Sequence, residues 1–360
     1  MMTPLRRFRT ALSTAAARVA PQAQARAQLG RRLSEHCRDR LALPEATVTV
    51  TPRPHGEAGR HAAEIARDGH RIRIACEDEL LRERPNEMLH RLIGVLTVLA
   101  RMPLEHFQLV ADLSDGEESE AGVVSFCSRD PGAILIPDHG FVRTLGQDNH
   151  RRVARANAIA WSARSDRILW RGQTTGSGVI SKPRLSADDP DLLPRVRLCL
   201  ALKGFPDTDV RLSVVSHSRD PETDVARLDE AGILGTYVSP IVWNGLKFAI
   251  DIDGNTNAWS NLLNRLIMGC CVLKVTSPLG YRQWYYDDLA PWTHYVPVKA
   301  DLSDLVERIA WCRANPDACA RIAASGQAFA MARDFDTEVA AAARRVVEAH
   351  AWGLLRAKAG

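Results

Sequence analysis

An apolar run, Phe248–Ile252, ends in Asp251 and Asp253, and Gly254, Asn255, Thr256 and Asn257 follow at once. A glycine permits a tight turn there, and Asn and Thr side chains offer caps. Trp259 and Ser260 sit at the start of a helix expected over Ala258–Gly269. Open α/β sheets bind ligands at strand–turn–helix units of this kind. Unbonded N–H groups at such a helix start would favour a diphosphate, by about 0.3–1 kcal/mol per charge. A βα loop with no ligand has the same pattern.

Two further strand ends carry polar groups. The run Arg167–Trp170 delivers Arg171, followed by Gly172, Thr174, Thr175 and Gly176, with Lys182 and Arg184 close behind. An arginine so placed can clamp a diphosphate through bidentate, charge-assisted bonds, or it is a surface residue beside a turn. The run Phe107–Ala111 ends in Asp112 and Asp115. A carboxylate there suits a general base, being ionised at neutral pH; a turn and helix cap explain the same pair. The segment Ser277–Pro297 is rich in aromatics and contains Arg282 and His294. It suits either a base or sugar sandwich or a small core. Pro137-Asp138-His139 offers one acid and one imidazole, too few for a metal site.

These groups need elements to hold them. Strands are expected at Thr47–Thr51, Arg71–Cys76, Phe107–Ala111, Gly122–Cys127 and Ala133–Ile136, and helices at Pro85–Ala100 and Arg151–Trp161. A second series of strands, Arg167–Trp170, Arg211–Val215, Phe248–Ile252, Cys270–Val275 and Tyr295–Val298, alternates with helices at Asp191–Lys203, Asp224–Ala231, Ala258–Gly269, Asp301–Ala314 and Pro316–Ala330. Phe335–Leu355 reads as a long amphipathic helix. Two blocks of alternation predict two α/β domains with mostly parallel sheets, at 1–163 and 164–332. Residues 333–360 either cross back to the first domain or end on the second.

The 360 residues are 46% hydrophobic and 25% charged, values that exclude wholesale disorder. Leu92–Ala100 is the richest apolar run and is too short to span a bilayer. The formal charge of +4 is too small to indicate nucleic acid. Six basic residues are Lys and 41 are Arg. The eight cysteines fit neither CxxC metal spacing nor a dense disulfide framework, so free thiols in a reducing compartment are expected. The Arg-rich first forty residues lack the apolar core of a signal peptide, which predicts a cytoplasmic location. They form a basic helical arm, either solvated or touching an anionic membrane surface. Phosphate-loop, HExxH and GxSxG signatures are absent.

Trp170-Arg171-Gly172, the stretch Asp251–Trp259, Val272–Lys274, Pro291–Pro297, Asp301–Asp304 and Ile322–Phe329 resemble, in this order, the CAP10-like glycosyltransferases (glycosyltransferase family 90). That family includes protein O-glucosyltransferases, capsule xylosyltransferases and bacterial lipopolysaccharide-modifying enzymes, and this chain looks like the bacterial type. The likeness covers about residues 105–332. It implies a GT-B architecture, with two Rossmann-like domains facing each other across a cleft. It implies a UDP-sugar donor held mainly by the second domain and inverting transfer to a glycan such as lipopolysaccharide, with no tightly bound cofactor and no required metal. By motif position Asp115 matches the catalytic base, with Asp112 the second choice, and Arg171 matches the diphosphate ligand. The loop Gly254–Trp259 matches the segment beneath the donor. Animal members have Arg where this chain has Ser260, so phosphate contacts are expected from Arg184 or Arg282. A silent nucleotide-sugar or glycan-binding module on the same scaffold is the alternative.

Overall fold

The computed structural model describes residues 4–53 and 59–356, with the side chains from residue 22 onward. Arg6, Arg7, Arg9 and Arg18 of the basic arm therefore have side chains outside the described residues. The chain divides into two compact units, Met1–Arg143 with Thr337–Gly360, and Thr144–Asp336. The helix expected at Arg151–Trp161 is Asp148–Ala156 and falls in the second unit. The last helix, Phe335–Ala351, groups with the first unit from Thr337 onward.

The first unit is built on a six-stranded sheet. Its strands are β1 (Thr47–Pro52), β2 (Ala62–Asp68), β3 (Arg71–Cys76), β4 (His106–Asp112), β5 (Val124–Ser125) and β6 (Ile134–Leu135), in the order β1-β3-β2-β4-β5-β6. The sheet is mixed. β2 runs antiparallel to both β3 and β4, whereas β1–β3, β4–β5 and β5–β6 are parallel pairs. The antiparallel β2 departs from the expected mostly parallel sheet. Its Ala, Glu and Arg residues favour helix in isolation, and burial of Ala63 and Ile65 between neighbours overrides that preference. Helix α1 (Pro4–Arg40) covers edge strand β1, where Ser34 Oγ accepts the Val48 N–H at 2.8 Å. Helix α2 (Pro85–Leu99) begins on a proline, which needs no N–H partner there, and buries Met88, Leu92, Val95, Leu96 and Leu99.

The second unit holds a five-stranded, all-parallel sheet. Strands β7 (Ser165–Gln173), β8 (Thr208–Val214), β9 (Leu246–Asp251), β10 (Cys271–Val275) and β11 (Val296–Val298) lie in the order β11-β10-β9-β7-β8. Helices α3 (Pro194–Ala201), α4 (Asn261–Ile267), α5 (Leu305–Ala314) and α6 (Pro316–Met331) contribute to its layers. The inner strands are apolar along nearly their whole length, as burial on both faces requires. This is the α/β class expected of the sequence. Among the described residues no helix is long and apolar enough to cross a membrane.

Candidate functional site

Strand β9 brings Asp251 to its carboxyl end, directly in register with Lys274 of β10. The Lys274 Nζ lies 3.2 Å from Asp251 Oδ2, and Asn261 Nδ2 donates to Asp251 Oδ1 at 2.7 Å. Asp251 is fully buried and both its oxygens are bonded. Two residues on, Asp253 is 7% exposed, and its oxygens have no well-formed hydrogen bond beyond a loose one from the Ser277 side chain. Burial pushes its carboxyl up to about 6, with the Asp251 charge adding to the rise and the Lys274 charge opposing it. A small pocket opens here, lined by residues 252–256 and 275–279 with Ser177, Pro194 and Ala300.

Arg195, from α3, braces the pocket from below. It donates to the Asp253 and Ile252 carbonyls at 3.0 and 3.1 Å and to Thr175 Oγ1 at 2.7 Å. Gly254 makes this approach possible, because a Cβ there would lie 2.6 Å from Thr175 Oγ1. Asn255 is exposed and its Oδ1 accepts the Gly176 N–H at 3.0 Å, tying the two loops together. Thr256 and Asn257 are buried, bonded to each other at 3.2 Å, and Asn257 Oδ1 caps the Trp259 N–H. Trp259 and Ser260 are half-buried.

Several expected donor contacts are otherwise engaged. Arg171 gives its guanidinium to Asp209, with Nη2 at 2.9 Å from both carboxylate oxygens, and to the Trp170, Asp209 and Thr236 carbonyls. It is a tie between neighbouring strands rather than a free diphosphate clamp. Gly172 stays within β7. Thr174 is buried and exchanges two bonds with the Ser216 backbone. Arg184 is exposed and does not line the pocket. Arg282 pairs with Asp287 at 2.7 Å. Helix α4 starts at Asn261, three residues later than expected, and has only seven residues, so the helix-start argument for a diphosphate loses its basis. The aromatic segment forms a small core. Tyr285 is buried against Trp284, Tyr286 and Phe329, and His294 Nδ1 accepts the Ala290 N–H.

In the first unit, β4 ends at Asp112, which is 1% exposed. Its carboxylate accepts the Ser114 N–H at 2.7 Å and the Ser114 hydroxyl at 2.9 Å, and burial pushes it up to about 6. Asp112 thus caps a buried turn in this structure. Asp115 has a side chain 30% exposed and forms an ion pair with Arg91 of α2. Arg91 is itself buried and also donates to the Leu113 carbonyl at 2.8 Å and to the Ser114 carbonyl. Gly116, at φ +106°, lets the chain turn directly after Asp115, where a Cβ would lie 2.5 Å from the Cys127 carbonyl oxygen. Beside this turn His61 and Glu118 pair at 2.7 Å. The bond to Glu118 raises the imidazole above its usual range.

The sequence reading did not single out Arg91, Arg195 or His61, which sit inside helices or ordinary polar stretches. Lys274 appeared only as part of a motif, and its register with Asp251 was not legible. The eight cysteines are all free and buried.

Residues 215–339 match the model of Glycosyl transferase family 90. Among curated relatives, uncharacterized protein 035R of Invertebrate iridescent virus 3 is 34% identical over 47% of this chain and 15% of its own length. Human protein O-glucosyltransferase 3 is 25% identical over 71% of this chain and 46% of its own. The chain thus spans less than half the length of these relatives. Among solved structures, Anabaena Alr3699/HepE in complex with UDP-glucose matches at 12% identity and a TM-score of 0.34, over 57% of this chain and 53% of that one. The family match and the O-glucosyltransferase relatives support the family resemblance. The relatives named here are viral and human, so the bacterial and lipopolysaccharide side of the resemblance rests on the motifs alone.

Proposed function

We propose that the protein is a glycosyltransferase that moves a sugar from a UDP-sugar to an acceptor hydroxyl. The observation that carries this reading is a coincidence: the family match over 215–339 contains Asp253 and most of the pocket around it. In this reading the second unit holds the donor, and the first contributes Asp115. Asp115 takes the proton of the acceptor hydroxyl as that oxygen attacks the anomeric carbon from the face opposite UDP, giving inversion. Arg91 holds Oδ1 of that carboxylate, and the other oxygen takes the proton. Charge building on the leaving diphosphate is met by the backbone N–H groups of the 253–257 loop, which Arg195 holds in place through the Ile252 and Asp253 carbonyls, in a site where the low dielectric strengthens each contact. The domains at 1–163 and 164–332, the cytoplasmic location and contact of the basic arm with a membrane surface belong to the same proposal.

The acceptor is a hydroxyl of a glycan such as lipopolysaccharide on the motif resemblance. The name of the human relative favours a protein hydroxyl as the second reading. The test is UDP release from UDP-glucose, UDP-xylose and UDP-galactose with glycan and peptide acceptors, alongside UDP binding by calorimetry. Turnover abolished by Asp115→Ala with UDP affinity retained supports the proposal. UDP binding with no turnover supports the silent module instead, and neither binding nor turnover rejects both.

A further inference from the structure

We infer that the core of the second unit contains a three-thiol site for a soft trivalent ion such as arsenic(III), formed by Cys271, Cys312 and Cys319. The three come from separate elements. Cys271 opens β10, Cys312 lies in the last turn of α5, and Cys319 lies in the first turn of α6. The break at Asn315-Pro316 turns the chain between the helices, so residues seven apart bring their sulfurs to one place. All three sulfurs lie within 4.8 Å of one another, and the residues are 0%, 1% and 0% exposed. Three sulfurs around a pyramidal trivalent ion, with bonds of about 2.3 Å, stand about 3.5 Å apart. Closing the observed triangle asks each sulfur to move by less than about an ångström. Cys319 Sγ also lies 3.5 Å from the Cys312 carbonyl oxygen, a weak contact that leaves its lone pairs available.

Among the described residues this is the one grouping of its kind; Cys37, Cys76, Cys127, Cys199 and Cys270 are as buried but do not converge. Isolated buried thiols behave as small apolar side chains. Three that converge from separate elements form a ligand set.

Charge selects the ion. The cysteines share an apolar core with Leu273, Val296, Ile309 and Ile322. Arg308, whose charge reaches Cys312, is held by Asp304 at 3.0 Å. With three thiolates, copper(I) would leave two negative charges in this core and zinc(II) would leave one, and buried unpaired charge is strongly disfavoured. A trivalent ion leaves none. The exchange balances without redox chemistry. Each thiol passes its proton to a hydroxyl of arsenous acid, three S–H and three As–O bonds break, and three As–S bonds and three waters form.

The test uses the reduced full chain, incubated with arsenite natively and, in parallel, unfolded and refolded with arsenite, then desalted. Arsenic and titratable thiols are counted. One arsenic per chain and the loss of three thiols are expected, with a raised Tm. Cys319→Ala, or Cys312→Val if the first does not fold, should weaken retention by about 100-fold through loss of chelation, and Cys199→Ala should change nothing. The inference is overturned if neither arm retains arsenic, if Cys319→Ala or Cys312→Val retains it as well as the parent, or if zinc(II) or copper(I) at equal concentration displaces it.

Discussion

The two strand ends that carry acids solve the same local problem in opposite ways. At β4 the pair is Asp112 and Asp115; at β9 it is Asp251 and Asp253. In both, the first acid is buried and spent on structure, Asp112 on Ser114 and Asp251 on Lys274 and Asn261. The second acids diverge. Asp115 is partly exposed and held by a buried guanidinium, whereas Asp253 is buried with no well-formed hydrogen bond beyond a loose one from Ser277. An exposed carboxylate locked in one orientation suits proton transfer. A buried one short of protein donors, with only a loose contact from Ser277, suits receiving a ligand's hydroxyl or N–H, since under-satisfied buried acceptors are costly and rare. Sequence spacing alone ranks neither acid; the partner supplied from a distant element does.

The sharpest way to break this comparison is to neutralise the two first-unit acids separately. Asp115→Asn should lower turnover by about 10²–10⁴-fold, the usual worth of a general base, while UDP affinity stays unchanged. Asp112→Asn, measured by the same UDP-release assay, should lower turnover less than about tenfold, because this acid only shapes the turn. Equal losses would erase the distinction.

Next comes the guanidinium that holds Asp115. Arg91→Met leaves the Leu113 and Ser114 carbonyls and the carboxylates of Glu87 and Asp115 without their donor, and because both acids are partly exposed the loss should be about 1–3 kcal/mol. Urea unfolding should show that loss. Arg91→Lys restores charge but not the fork geometry, so it should recover stability only in part and turnover less.

Asp253 gives the third test, with a sign opposite to that of a salt-bridged acid. Its folded pKa is about 6 against an ordinary 3.8. The folded state therefore holds the proton more tightly, and the ionised form is penalised. That penalty is absent below about pH 4, grows between about pH 4 and 6, and reaches at most about 3 kcal/mol above pH 6. Asp253→Asn should be more stable than the parent above pH 6 and no different below pH 4, by thermal unfolding across pH. No pH dependence of the difference would mean that Asp253 is solvated after all.

Much of the second unit was legible because burial on both faces of a parallel sheet writes continuous apolar runs, as in Cys271–Val275. The first unit was less so. Strand β2 is made of residues that favour helix, and only its neighbours make it a strand. Of the proposed site, the loop 253–257 and Asp115 were visible as candidates, where glycine and acid follow an apolar run. The cations that set their electrostatics were not. Arg91, Arg195 and Lys274 reach their partners through helix packing or strand register, relations that leave no local pattern.

Arg171 is the smallest test and bears on how motif residues are read. Its guanidinium lies flat against Asp209 and three carbonyls, with a side chain 9% exposed. Burial works against ionisation of Asp209, but the hydrogen bond and charge of Arg171, with Arg167 and Arg211, outweigh it and hold the carboxyl below its usual range. Such a group ties β7 to the edge strand β8 just before the Thr174–Gly176 loop, and it has no spare donor for a phosphate. Arg171→Met should therefore cost about 1–3 kcal/mol of unfolding free energy, the worth of a charged hydrogen bond, and leave the Kd for UDP within about twofold, under 0.5 kcal/mol. Arg195→Met, which removes the donor to the Ile252 and Asp253 carbonyls of the pocket loop, should weaken UDP binding by about tenfold or more. If the order were reversed, the diphosphate would have to displace Asp209, and the motif position would outrank the geometry.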